Sequence, residues 1–153
     1  MTATTRTRTA PPLTPSTRGV PAYTQTLPCT AESVASARLS IRNTLTCWGL
    51  DALVGDAELI ASELATNAVR HTRRSSPEGP GHYRLTIERL CPHTVRLWVF
   101  GGSRDKPHPG KAADGAESGR GLTVVAFLAD RWGIELRRSG KGIWAELDVH
   151  AVP

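Results

Sequence analysis

The sequence predicts an α+β domain, a two-layer α/β sandwich whose mostly antiparallel sheet carries its helices on one face. Three observations lead there. Two stretches repeat apolar residues at steps of three and four, as amphipathic helices do. Two others alternate apolar and polar residues across a short turn, as hairpin strands with one covered face do. The elements also run in the order helix, helix, strand pair, long loop, helix, strand pair, which suits helices gathered on one side of a sheet.

The first helix begins near Thr30, a residue type suited to an N-cap, with Glu32 in the first turn beside the positive end of the helix dipole. Val34, Ala37, Ile41, Leu45 and Trp48 form its apolar face, and Gly49 stands where a C-terminal cap belongs. A second helix runs from about Asp56 to about Thr72. On it Ile60, Leu64 and Ala68 make one stripe, with Glu63, Asn67 and His71 on the adjacent one. Residues 73–81 read as a loop. Tyr83, Leu85 and Ile87 alternate with polar neighbours, as do Val95, Leu97 and Val99, and Cys91-Pro92-His93 joins the two strands. A long stretch rich in Gly, Pro and charge, 101–119, has no periodicity and reads as a lid. A helix from Gly121 to about Asp130 follows. Strands over Gly133–Arg138 and Ile143–Val149 close the chain around a turn at Ser139-Gly140-Lys141-Gly142. A short strand over Tyr23–Leu27 precedes all of this.

Composition bounds the class. The 153 residues are 39% apolar, enough for one core. No window approaches the roughly 18 apolar residues a membrane-spanning helix needs. The first residues lack the apolar run of a secretory signal. Three cysteines at unrelated spacings suit reduced thiols in a cytoplasmic protein better than a disulfide framework, and Cys91-Pro92-His93 reads as a turn before a metal site. The net charge of +5 owes three charges to Arg6, Arg8 and Arg18, in a Thr/Pro-rich segment (1–20) expected to be a solvated, disordered tail. The rest mixes both signs and carries no helix-turn-helix, zinc-finger or RNA-recognition pattern, so no direct nucleic-acid partner is expected.

Chemistry concentrates in two runs. In Glu63-Leu64-Ala65-Thr66-Asn67-Ala68-Val69-Arg70-His71 a carboxylate and a carboxamide sit four residues apart on one helix face. An Asn oxygen is a hard ligand of the kind Mg²⁺ takes, and the Glu could orient or deprotonate an attacking hydroxyl. On spacing alone, a solvated polar face is the better reading. The second run, Ser118-Gly119-Arg120-Gly121-Leu122, joins the lid to a helix, where glycines let backbone N–H groups approach a phosphate. A flexible join is its bland alternative. The order and separation of the two runs strengthen both.

Together these runs resemble the N box and the second glycine box of the GHKL, or Bergerat-type, ATPase superfamily. The later LADRWG and the closing IWAELDV resemble its anti-sigma-factor serine/threonine kinase branch. The similarity spans about Pro28 to Val149. It implies the histidine-kinase-like ATPase fold, ATP and Mg²⁺ as cofactors, and a sigma factor or a STAS-type anti-anti-sigma protein as partner. A homodimer is compatible with it. It implies that Glu63 is the catalytic carboxylate and that Asn67 holds the metal. His71 then lies at the phosphate side or acts structurally, and Gly119, Arg120, Gly121 and Leu122 surround the triphosphate. A split sensor kinase is a weaker resemblance, since no dimerisation and phosphoacceptor-histidine segment is evident.

The resemblance also exposes two departures. The family's base-reading Asp aligns with Gly101, with Asp105 out of register in the lid, and the Thr beside that Asp aligns with Gly142. Loss of both implies weak ATP binding, a different nucleotide, or a module that sequesters its partner without nucleotide. Finally, Trp98, Phe100 and Trp144 fall on the sheet face that also carries Arg84, Glu88, Arg96, Glu146 and Asp148. They mark an interface, or lie under Arg and Lys stems or the N-terminal segment.

Overall fold

The computed structural model describes residues 14–15, 19–75, 81–101, 122–138 and 140–150, with only the backbone at 14–15 and 72–75. Six strands form one sheet in the order β1-β2-β3-β4-β6-β5: β1 (Thr14–Pro15), β2 (Pro21–Pro28), β3 (His82–Cys91), β4 (Thr94–Gly101), β5 (Arg131–Arg137) and β6 (Gly140–Asp148). Every pair is antiparallel. Helices α1 (Ala31–Cys47) and α2 (Val54–Ser75) are linked by a 3-10 turn at Asp51–Leu53, and a short helix α3 occupies 122–128. The result is the expected two-layer sandwich. Within the segment expected to be a tail, Thr14 and Pro15 pair with Ala22 and Pro21.

α1 ends as the sequence expects. Gly49 takes φ +74°, the left-handed region where a Cβ would be strained. That lets the Leu50 N–H donate to Leu45 C=O (2.8 Å) and the Gly49 N–H to Thr46 C=O (3.0 Å), the paired bonds of a Schellman cap. The start differs. Thr30 has the extended backbone of an N-cap residue, but its side chain makes no capping bond. Instead the Ser33 hydroxyl and N–H both bond back to Thr30 C=O.

Alternation sorts the sheet into two faces. Tyr83, Leu85, Ile87, Val95, Leu97, Val99, Ile143, Ala145 and Leu147 point inward, all essentially buried against Ile41, Leu45, Ile60, Leu64 and Val125 of the helices. α1 lies over β2 and β3, while α2 lies over β4 and its neighbours. Neither helix covers the inner face of β5, where Ile134 and Leu136 remain 47% and 63% exposed among the described residues.

The outer face is built in rows set by strand register. Glu88, Arg96, Glu146 and Arg131 stand opposite one another on β3, β4, β6 and β5. Their side chains join them: Arg96 to Glu88 (3.4 Å) and Glu146 (2.8 Å), and Arg131 to Glu146 (2.7 Å). One row along, Arg131 also pairs with Asp148 (2.7 Å), which accepts from the Thr94 hydroxyl (2.8 Å). The aromatic residues occupy the next rows, and arginines lie over them. Arg96 stacks 5.5 Å from the Trp144 ring, Arg137 5.5 Å from Trp98 and 5.4 Å from Phe100, and Arg84 5.7 Å from Phe100. Guanidinium groups thus cover part of this aromatic face, as one of its two readings expects.

Arg131 beside it, and the Thr94 hydroxyl, hold the Asp148 carboxyl below the usual carboxylate range. A depressed folded-state pKa gives stability that is present above the unfolded value of about 4 and is lost as pH falls through the lower folded value. Asp148→Asn should therefore lower the urea midpoint at neutral pH, with the gap from wild type closing in acid below the carboxyl range. A gap that stays constant with pH would contradict this role.

Candidate functional site

Helix α2 carries the site because its two flanks differ. At about 100° per residue, Ala57, Ile60, Ala61, Leu64 and Ala68 form one buried stripe. On one flank Glu58 pairs with Arg42 (2.8 Å) and Ser62 accepts from Arg38 (3.1 Å), fastening α2 to α1. Glu63 and Asn67 stand on the other flank, half-buried, toward the part of the sheet that α1 does not reach. Neither has a hydrogen-bond or ion-pair partner among the described residues. Their acceptors are thus unspent among the described residues.

The sheet end of this flank is fixed by Cys29. Its N–H donates to Gly81 C=O (2.8 Å), and its buried Sγ lies 4.0 Å from Ala68 C=O. The Asn67–Ala68 turn of α2 thus sits at the end of the sheet where β3 begins. There Tyr83 pairs in register with Gly101, and Gly101 with Lys141. Tyr83 is buried, its phenol 2.8 Å from the Ser33 hydroxyl; burial pushes its pKa up, against the lowering effect of that hydrogen bond. Among the described residues a Cβ built on Gly101 would meet only the Lys141 carbonyl oxygen, at 3.9 Å. Beside it Val99 stands opposite Ile143, both buried in the core.

Lys141 shares this corner. Inward and outward residues alternate along β6, and the buried Ile143, Ala145 and Leu147 put Lys141 on the inner face. It is half-buried, and burial pushes its ammonium pKa down. The sequence reading missed it by assigning Lys141 to a turn. The signal was present, since the alternation of Ile143, Ala145 and Leu147 extends back to 141.

The same alternation corrects the assignment of Gly142. The expected turn at Ser139–Gly142 is strand from Gly140 onward, because Arg137 already pairs with Gly140. Gly142 therefore faces outward. A Cβ there would meet Phe100 at 3.1 Å and Trp98 at 3.6 Å, on the face opposite α2. It cannot stand for a base-reading threonine. Gly101 keeps its inward place.

The other expected site residues are placed as follows. His71 is half-buried one turn beyond Asn67 and is held by an interaction of its own. Leu122 opens α3 and packs on the core. Gly119, Arg120, Gly121, Asp105 and the expected lid lie outside the described residues. Among the described residues no His, Cys, Asp and Glu cluster could hold a metal, and no helix is long and apolar enough to cross a membrane.

The described residues thus show an antiparallel sheet backed by helices on one face, with a carboxylate and a carboxamide half-buried on the flank of α2 away from α1. The model of the histidine kinase-like ATPase domain matches residues 27–147. The chain belongs to that family, and with it to the nucleotide-binding domains. No curated protein matches it.

Gly142→Thr should change the near-UV circular dichroism of the Trp98 and Phe100 stack while leaving affinity for Mg-ATP within about twofold of wild type, a difference well under 1.4 kcal/mol. A tenfold gain in ATP affinity would mean that residue 142 faces the nucleotide.

Proposed function

We propose that this chain is a regulatory anti-sigma-type protein that binds Mg-ATP and phosphorylates a serine of a STAS-type anti-anti-sigma partner. The observation that carries the nucleotide half is the pair Glu63 and Asn67, half-buried, unpartnered among the described residues, and aligned at i and i+4 on the flank of α2 away from α1. The partner half rests on the resemblance of the LADRWG and IWAELDV runs to that kinase branch. The sigma factor and STAS partner, like the cytoplasmic setting, belong to this proposal.

The residues suit the cofactor. The Asn67 carboxamide offers the neutral oxygen that Mg²⁺ accepts beside phosphate oxygens and water, and the bound ion would supply neutralisation of charge on the triphosphate. Glu63, one turn earlier and nearer the middle of α2, would accept the proton of a serine hydroxyl when the nucleotide's terminal phosphoryl group passes to that oxygen and ADP is released. A flat base would lie at the sheet end, beside Gly101 and against the apolar side chains around Val99 and Ile143. Leu122, at the head of α3, would form part of the wall toward the phosphates.

One observation favours a second reading, a module that sequesters a sigma factor or STAS-type partner without nucleotide. Gly101 presents no acceptor for an adenine amino group. The two readings separate by mutation. Under the kinase reading Asn67→Ala abolishes Mg-dependent nucleotide binding, measured by calorimetric titration, without loss of folding, because a half-buried side chain leaves no core cavity. Equal affinity with and without the carboxamide would remove Asn67 from metal binding. Glu63→Ala should leave nucleotide affinity within severalfold and cut phosphotransfer by at least about a hundredfold, the usual scale of general-base loss. Phosphopartner appearing at the wild-type rate would remove Glu63 from the chemistry.

A further inference from the structure

We propose that Lys141 makes this cleft select purines with a carbonyl oxygen at carbon 6, as in guanine or hypoxanthine, over adenine. The inference rests on the nucleotide reading of the site and names the base it takes.

Three observations meet at one corner. The first is room: among the described residues the nearest neighbour to a Cβ on the inner side of Gly101 is the Lys141 carbonyl, at 3.9 Å. The second is position. Gly101 and Lys141 are register partners on β4 and β6, and Tyr83, the other partner of Gly101, is already committed to Ser33. The third is an unanswered charge. Lys141 is half-buried on the inner face and has no carboxylate or hydrogen-bond acceptor partner among the described residues.

A cation drawn partly out of water without an acceptor is destabilised, and its lowered pKa reports the same imbalance. A ligand that brings an acceptor to this corner corrects it; one that brings a donor does not. Adenine carries an amino group at carbon 6, so donor would face donor. A carbonyl oxygen at the same place accepts from the ammonium. The polarity of the corner is thus opposite to that of a site with a carboxylate at position 101, and ATP is the second-best donor. Among the described residues other charged groups near the corner do not cancel it: Arg137 and Glu135 lie on the outer face, paired with each other at 3.1 Å, and Gly142 has no side chain. The α2 residues at this end, Asn67 and His71, are not acidic, and Glu63 lies a turn farther along.

The test titrates the full chain with Mg-ATP, Mg-GTP and Mg-ITP by calorimetry. ITP differs from GTP only by lacking the 2-amino group, so it isolates the carbon-6 oxygen. Wild type should bind ITP and GTP about tenfold or more tighter than ATP, the range of one hydrogen bond to a charged group. Lys141→Met keeps the stem and removes the ammonium, and should bring all three within about twofold by lowering ITP and GTP affinity. Lys141→Gln, checked with it by thermal melt, guards against a packing effect of either change and should likewise lose the preference. ATP binding as tightly as ITP to wild type would overturn the inference and leave the nucleotide reading standing. A preference for ITP that survives both substitutions would remove Lys141 as its cause. Absence of binding by any triphosphate would overturn both the inference and the reading beneath it.

Discussion

The register between β4 and β6 is the constraint on which the rest of this structure depends. It sets Leu97 against Ala145 and Val99 against Ile143 on the inner face, and Trp98 against Trp144 and Phe100 against Gly142 on the outer one. A slip of one residue would exchange the faces, placing Trp144 under α2 and Ile143 in water. It would also separate Gly101 from Lys141. The corner they share exists only in the observed register.

Two unlike forces hold that register. Inside, the apolar residues of β3, β4 and β6 fit the stripes of α1 and α2 only in the observed phase. Outside, the Glu88, Arg96, Glu146 and Arg131 row closes only when all four are level. Glu88 and Glu146 are 7% exposed, so an unpaired carboxylate in either place would be costly, whereas the formed pairs contribute modestly. The row acts chiefly against wrong alignments, while burial supplies the larger favourable term. Gly142 takes part in the same arrangement, since its missing side chain lets Phe100 lie close under Arg137.

Much of this was legible in the sequence. The 3.6-residue period of Val34–Trp48 and Ile60–Ala68 gave both long helices, and alternation gave β3 and β4, because each has one covered face. The Glu63, Asn67 and His71 stripe was legible for the same reason. What failed was the closing hairpin. Two glycines around Lys141 look like a turn, yet Gly142 serves a close approach of Phe100 in mid-strand, a cause that only the neighbouring strand reveals. The two-residue shift at that turn misplaced Gly142 and concealed Lys141. The guanidinium cover on Trp98 and Trp144 was beyond reach as well, since it depends on arginines 39 and 48 positions away in the chain meeting them across strands.

The family assignment makes this a nucleotide-binding domain. In the proposed reading α2 and the β4–β6 corner form the ligand side, and the outer face is occupied by its own arginines and carboxylates. Methyl and indole nuclear magnetic resonance tests that division most directly, because each face carries its own reporters. Addition of Mg-nucleotide should move the Val99 and Ile143 methyl signals and leave the indole N–H signals of Trp98 and Trp144 in place. Indole signals that move while those methyls stay still, or no change at millimolar nucleotide, would contradict the account.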